Sequence, residues 1–415
     1  MSICVLEQDR ARCGRALRRR PAMKILIIAR PYAFHGGVES ATAGLMRALV
    51  AHGHDVHRAG PGRQQAQPGV TEHPLPMPPL PSPARAVALA LLAAPVARRG
   101  GWDVVQSHER TLVQDVYRAG EGAHRAYLEA MASRGGRRVH HAVTLALERR
   151  VFARTPQIVA ISRRSADDIA RHYAVPPPRL SVVYNGVDLE RFHPALRARH
   201  RDAARADADV PATAYAMLFA GSGFERKGLS TAIRALAHLG DGGARLLVLG
   251  RGDAAPYRRL AGELGVAGRV VWLGARPDIE RWYAAADVLV LPTRYEPFGN
   301  VHLEALASGL PVVTSSVAGG AEVVDDRCGA VVASDDAAGF AAALEKLRGR
   351  NATELRDAAR AAAEPLTFAR QVQALEEVYR RLGRNRCFFL TKQHRRHRLP
   401  GWVFARPCSL TATGR

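Results

Sequence analysis

The chain alternates short apolar runs with segments of helical periodicity. Residues 24–29 (KILIIA) form a continuous apolar run of strand length that leads into a loop holding Gly36 and Gly37. From Val38 to His52 apolar positions recur at helical spacing, and Gly53 supplies the stop. DVVQ (103–106), QIVAIS (157–162) and LSVVYN (180–185) read as further buried strands, while the Pro-rich stretch 61–83 reads as a surface loop. Near Asp188 the alternation stops. Residues 191–213 are charged and poorly periodic, as expected of a linker. A second series follows, with strands near MLFAG, RLLVLG, VVWLG, DVLVLP and PVVTSS, each succeeded by a helical segment. Strands alternating with helices predict parallel sheets covered on both faces, and two such series predict two Rossmann-like domains of an α/β chain. Open sheets of this kind bind ligands at the carboxyl ends of their strands, so the site is expected between the two domains.

A length of 415 residues agrees with two domains, and a 47% hydrophobic share is ample for two cores. The boundaries expected are an extension over 1–22, a first domain over 23–190, the linker 191–213, a second domain over 214–365, a helix over 366–383 returning to the first domain, and a basic tail over 384–415. The formal charge of +22 is concentrated at the ends, with +4 in residues 1–22 and +9 in residues 381–415. That distribution suits an anionic membrane surface or another polyanion. Nucleic acid is not expected, because zinc-finger spacing and aromatic-rich RNA-binding signatures are missing from the sequence. Cys4, Cys13, Cys387 and Cys408 lie in the ends and Cys328 in the body, a spacing that supports neither a disulfide framework nor a zinc site. The longest apolar run, 87–97, is too short to span a bilayer, and the start lacks the pattern of a signal peptide. A cytoplasmic protein, peripheral to the inner face of the membrane, is the expectation.

The candidate chemistry lies in the second series. The segment 296–304 (EPFGNVHLE) follows the strand ending at Pro292, with Asn300 as a candidate helix cap and Gly299 allowing close approach of the backbone. Amides at such a helix start attract phosphate, while Glu296 and Glu304 face one bound molecule from different heights and can accept from sugar hydroxyls. The segment 221–233 (GSGFERKGLSTAI) sets Arg226 and Lys227 beside Gly228 at another strand end, where two cations can neutralise a departing diphosphate. A further Gly pair, at 319–320, follows PVVTSSV.

EPFGNVHLEALASGLPVV and GFERKG, with HGGVES (35–40), NGVD (185–188) and RPDIERWYAAADVLVLP (276–292) in order, resemble glycosyltransferase family 4, a family of the GT-B fold in which two Rossmann-like domains face each other across a deep cleft. The resemblance covers about residues 23–380. Within the family, RKG and the VYRAGEG that follows Asp115 are similar to lipopolysaccharide core glucosyltransferases acting on heptose. This resemblance implies retaining, metal-independent transfer of a hexose, glucose from UDP-glucose first, to a lipopolysaccharide core or related glycolipid or glycan, with the sugar nucleotide as co-substrate and no cofactor. It implies that Glu304 holds the ribose, Glu296 the donor sugar, and Arg226 with Lys227 the diphosphate. Gly36 and Gly37 would shape the facing loop, and Phe298, Gly299 and Asn300 would offer amides. Asp115 is the candidate catalytic or acceptor-side acid, and His108 and His124 are candidates to face donor or acceptor sugar.

Two other readings remain. Another family 4 donor and acceptor fits the same motifs. A basic adaptor without catalysis would use helical stretches such as 137–154 on anionic lipid. A nicotinamide-dependent oxidoreductase is disfavoured, because FHGGVES lacks the dinucleotide glycine pattern and Arg58 stands where a ribose-binding acid is required.

Overall fold

The computed structural model describes residues 22–30, 37–62, 66–131 and 138–396. Gly36 and most of the expected extension and basic tail lie outside these residues. The first half builds a seven-stranded parallel sheet from β1 (Lys24–Ile28), β2 (Asp55–Pro61), β3 (Val70–Leu75), β4 (Val104–Ser107), β5 (Val116–Ala119), β6 (Gln157–Ala160) and β7 (Leu180–Val182), in the order β3-β2-β1-β4-β5-β6-β7. The second half builds a six-stranded parallel sheet from β8 (Ala216–Ala220), β9 (Arg245–Leu249), β10 (Val270–Gly274), β11 (Val288–Leu291), β12 (Val312–Ser315) and β13 (Gly329–Val332), in the order β10-β9-β8-β11-β12-β13. Both halves wind outward in two directions from their first strand, so each has a switch point, β1/β4 in one and β8/β11 in the other. Loops leaving the carboxyl ends of adjacent strands diverge there and open a crevice.

The central strands β1, β8 and β11 are apolar runs that are buried almost throughout, as sheets covered on both faces require. Two apolar cores flank the second sheet, and the helix Phe368–Arg396 returns to the first half. There it buries Val372, Leu375, Val378 and Tyr379 against Ile25, Leu45 and Leu49.

Two sequence expectations are corrected. Residues 70–75, read as Pro-rich loop, form the edge strand β3, where Pro74 is tolerated because an edge strand has no neighbour on one side. The stretch 191–213, read as linker, contains the helix Leu196–Ala206, with Ala204, Ala208 and Val210 buried in the second core. Its docking face is made of Ala and Arg. Arg197, Arg201 and Arg205, four residues apart, all reach the carboxylate of Asp287, at 3.0, 2.8 and 2.7 Å. Polarity therefore concealed a packed helix. Among the described residues no helix is long and apolar enough to cross a membrane.

Candidate active site

Between the two halves lies a cavity of about 740 Å³. Arg30, Gly120, Ile161 and Asn185 line it from one side, and Lys227, Glu296 and Glu304 are among the residues facing them. The loops that build it leave β8 and β11, the switch-point strands of the second sheet.

After β8 the chain makes one helical turn, Phe224–Lys227, and stops at Gly228. Gly228 has φ +75°, and a Cβ there would lie 1.8 Å from the carbonyl oxygen of Pro292. Only glycine allows the two loops this approach, and it brings Arg226 and Lys227 against the loop after β11. The carboxylate of Glu296 accepts from Arg226 Nη1 at 2.8 Å and from Lys227 Nζ through the same oxygen, Oε2. Arg226 Nη1 also donates to the Tyr295 carbonyl at 2.9 Å. Burial works against the carboxylate of Glu296, but the ammonium of Lys227 and the guanidinium of Arg226 overcome it and hold the pKa at about 2. Burial likewise pulls Lys227 below its ordinary value, and Glu296 draws it partly back.

A pH dependence follows from the depressed pKa. A folded pKa of about 2 against an ordinary 4.5 means that the charge of Glu296 stabilises the fold fully above pH 4.5 and loses this effect as pH falls towards 2. Glu296→Gln is therefore expected to be less stable than the parent at neutral pH, by a margin that shrinks across that window. Urea unfolding at a series of pH values measures it, and a margin independent of pH would refute the charge pairing.

Gly299, at φ +84°, is the N-cap of the helix Asn300–Ala307, which corrects the expectation that Asn300 caps it. Asn300 is the first helical residue, and its Oδ1 accepts from Asn185 Nδ2 at 2.5 Å across the cleft. The turn is held from behind by His302, whose Nδ1 lies 2.8 Å from the Gly299 carbonyl and whose Nε2 lies 2.7 Å from Thr314 Oγ1. Burial pushes His302 down to about 4, so it acts as a neutral brace. Phe298 is fully buried and packs beside Tyr184. Gly319 and Gly320 pack closely behind this turn, where side chains would strike Pro297 and His302. Glu304 accepts from the Tyr283 hydroxyl at 2.8 Å. Burial raises its pKa, against the opposing pull of that hydrogen bond and of Arg191.

The same loop is clasped by the first half. Tyr295 OH donates to the Ala123 carbonyl at 3.1 Å and Ser162 Oγ to the Pro297 carbonyl at 2.6 Å, while Glu322 accepts from the Arg163 and Arg164 amides at 3.0 and 2.8 Å.

On the facing side the sequence expectations fare differently. Asp115 precedes β5, at the amino edge of its sheet and away from the cavity. Its carboxylate accepts from the Val105 amide at 2.9 Å, and its own amide donates to the Val105 carbonyl at 2.8 Å. Asp115 is thus a strand-pairing residue, which corrects its assignment as an acid of the site. The four residues after it form β5, and the loop that does reach the cavity begins at Gly120. His108 follows β4 but is buried, with Nδ1 at 3.0 Å from Thr42 Oγ1 and Nε2 at 2.8 Å from Gln106 Nε2. Gln106 accepts from Tyr379 OH through Oε1, so its amide nitrogen donates to His108, and burial with nearby Arg118 keeps the imidazole neutral. His124 heads the helix His124–Ala130, stacks with Tyr127 and meets His141 at 3.0 Å. Burial and Arg110 bring it down to about 4. Neither histidine lines the cavity. Gly37 is the first residue of the helix Gly37–Ala51.

Sequence reading missed an ion network at the strand ends of the first sheet. Arg30 Nε binds Glu109 at 2.7 Å and its Nη2 binds Glu121 at 2.5 Å, while Arg110 joins Glu121 at 2.9 Å to Glu148 at 2.9 Å. The signal was available: IIAR, QSHER and AGE each set a charge directly after a strand. Among the described residues no group of His, Cys, Asp and Glu is arranged to hold a metal ion.

Two doubly wound sheets facing each other over a cleft define the GT-B class. Residues 35–191 match Glycosyltransferase Family 4 and residues 214–350 match Glycosyl transferases group 1, so each half of the chain matches a glycosyltransferase domain. The D-inositol 3-phosphate glycosyltransferase of Xylanimonas cellulosilytica is 36% identical over 255 residues, which are 58% of this chain and 60% of that protein. The lipopolysaccharide glucosyltransferase WaaG of Escherichia coli is 32% identical over 194 residues, 45% of this chain and 52% of that protein. The chain thus spans about half to three fifths of these curated relatives. The crystal structure of WaaG superposes with a TM-score of 0.73 at 24% identity, covering 84% of this chain and 98% of that one. Anabaena HepE in complex with UDP-glucose superposes with a TM-score of 0.68 at 19% identity, covering 86% and 99%.

Proposed function

We propose that the chain is a retaining, metal-independent hexosyltransferase that takes glucose from UDP-glucose and delivers it to a lipopolysaccharide core or related glycolipid at the inner face of the membrane. The observation that carries this reading is the pair Arg226 and Lys227 converging on one oxygen of Glu296 beside the glycine-capped helix start. A diphosphate entering there takes both cations from a single carboxylate, and Glu296 is then released towards the hydroxyls of the attached sugar. Glu304, deeper along the same helix, accepts from the ribose. HepE, which binds UDP-glucose, supports the choice of donor. In the transfer itself the bond from sugar C1 to the β-phosphate oxygen breaks and one from C1 to the acceptor oxygen forms on the same face. The acceptor proton passes to the departing phosphate oxygen, so no protein nucleophile is required, in keeping with side chains of His108, His124 and Asp115 that are engaged elsewhere.

The match to a D-inositol 3-phosphate glycosyltransferase favours a second reading, in which the acceptor is a phosphorylated polyol. The test is turnover of UDP-, GDP- and ADP-sugars with a truncated lipopolysaccharide core and with inositol phosphate. Glu304→Ala is expected to raise KM for the donor about tenfold while changing kcat less, since a lost hydrogen bond to a charged group is worth about 1.5–3 kcal/mol. No turnover of any sugar nucleotide would reject the function, and an unchanged KM would reject the role of Glu304.

A further inference from the structure

Arg118 is a buried cation that neither the fold nor the proposed reaction explains. It lies on β5, 2% exposed, and among the described residues no carboxylate pairs with it. The nearby ionisable groups are Tyr379 and the neutral His108. Its Nη2 donates to Asn185 Oδ1, and its buried Nε has no hydrogen-bond partner among the described residues. A buried, uncompensated charge is expensive and is retained where it serves a purpose.

Its position suggests the purpose. Nη1 lies 3.3 Å from where a Cβ of Gly120 would stand, and both Gly120 and Asn185 line the cavity. The guanidinium therefore sits directly behind the cleft wall. It also determines which way two amides point. A guanidinium can only donate, so Asn185 must turn its oxygen to Arg118 and its nitrogen outward. That nitrogen donates to Asn300 Oδ1 at 2.5 Å, which orients the Asn300 amide at the first turn of the helix that borders the candidate phosphate site. Burial lowers the guanidinium pKa only to about 10, so the charge persists at neutral pH.

We infer that Arg118 is a positioning residue for a sugar nucleoside diphosphate, fixing Asn185 and Asn300 across the cleft and lending an unneutralised positive charge to the wall behind them. This rests on the proposed function, and the experiment separates the two.

Isothermal titration of the full chain with UDP and with uridine gives a ratio of affinities that isolates the response to charge. In Arg118→Met that ratio is expected to fall about tenfold, because a unit charge in a poorly solvated wall acts on the diphosphate and not on the neutral nucleoside. A merely structural role would weaken both ligands alike, and an unchanged ratio in folded Arg118→Met would overturn the inference. Arg118→Lys covers the case in which the methionine variant does not fold. It keeps the charge but offers no fork, so its UDP to uridine ratio is expected within about threefold of the parent while kcat falls about tenfold. A parental kcat in Arg118→Lys would equally overturn the inference. Failure of the parent chain itself to bind UDP or turn over any sugar nucleotide would overturn the proposed function and this inference together, an outcome distinct from a change seen in the variants.

Discussion

Lys227→Met is expected to lower turnover about 100- to 1000-fold while leaving the fold intact. The magnitude is that of removing one preorganised donor from a site where charge develops in the transition state. Lys227 is only 6% exposed, so little water stands ready to replace its ammonium. Methionine keeps the length of the stem that packs over Gly221. It also leaves Glu296 paired with Arg226 at 2.8 Å, so the carboxylate is not stranded without a partner. This distinguishes the variant from Glu296→Ala, which would leave two cations facing each other and confound a catalytic loss with a loss of stability. Donor hydrolysis and transfer are measured beside thermal unfolding. Near-parental turnover in a folded Lys227→Met protein would remove Lys227 from the diphosphate site. A lost fold would mean that the Lys227–Glu296 pair is chiefly structural.

The legible parts of the molecule are those where one property dominates a short stretch. Continuous apolar runs such as KILII and VLVL could only be strands covered on both faces, and that recovered the parallel architecture. The loop from Glu296 to Glu304 and the Arg226–Lys227 pair were legible because glycine, cations and carboxylates cluster at strand ends. What stayed hidden depends on distant partners. Asp115 looks like a site acid until β5 pairs with β4 on one side and β6 on the other, which sets its carboxylate on the Val105 amide. Asn300 has the right chemistry for a cap, but Gly299 reaches a positive φ and takes that position, and Asn300 meets Asn185 from the other half instead. Arg58 and Arg118 lie inside strands with almost no exposure, and no periodicity in a single chain marks a buried arginine.

The helix Leu196–Ala206 is the clearest such case, and it leads to the largest expected effect on stability. Asp287→Ala is expected to cost about 3 kcal/mol, the lower end of the range for removing one partner from a buried ionic pair, because this cluster is partly exposed. The carboxylate collects Arg197, Arg201 and Arg205 and also accepts from the Ala216 amide at 2.9 Å, at the start of β8. Burial opposes its ionisation, but the Ala216 amide and the guanidinium groups more than compensate, and its pKa lies below the usual carboxylate range. Without it three like charges crowd one partly buried spot, and Arg205, 2% exposed, keeps its hydrogen bonds to carbonyl groups such as those of Ala285 and Ala214. Urea unfolding measures the loss. Adding Arg201→Met to Asp287→Ala is expected to restore part of it, because one of the stranded charges is removed, and this non-additivity is the signature of a shared cluster. A cost below about 1 kcal/mol would mean that Ala204, Ala208 and Val210 dock the helix by packing. The charge cluster also bears on the cleft. It fixes the entry to β8, and the far end of that strand carries the turn with Arg226 and Lys227, so Asp287→Ala is expected to impair turnover at temperatures where the variant is still folded.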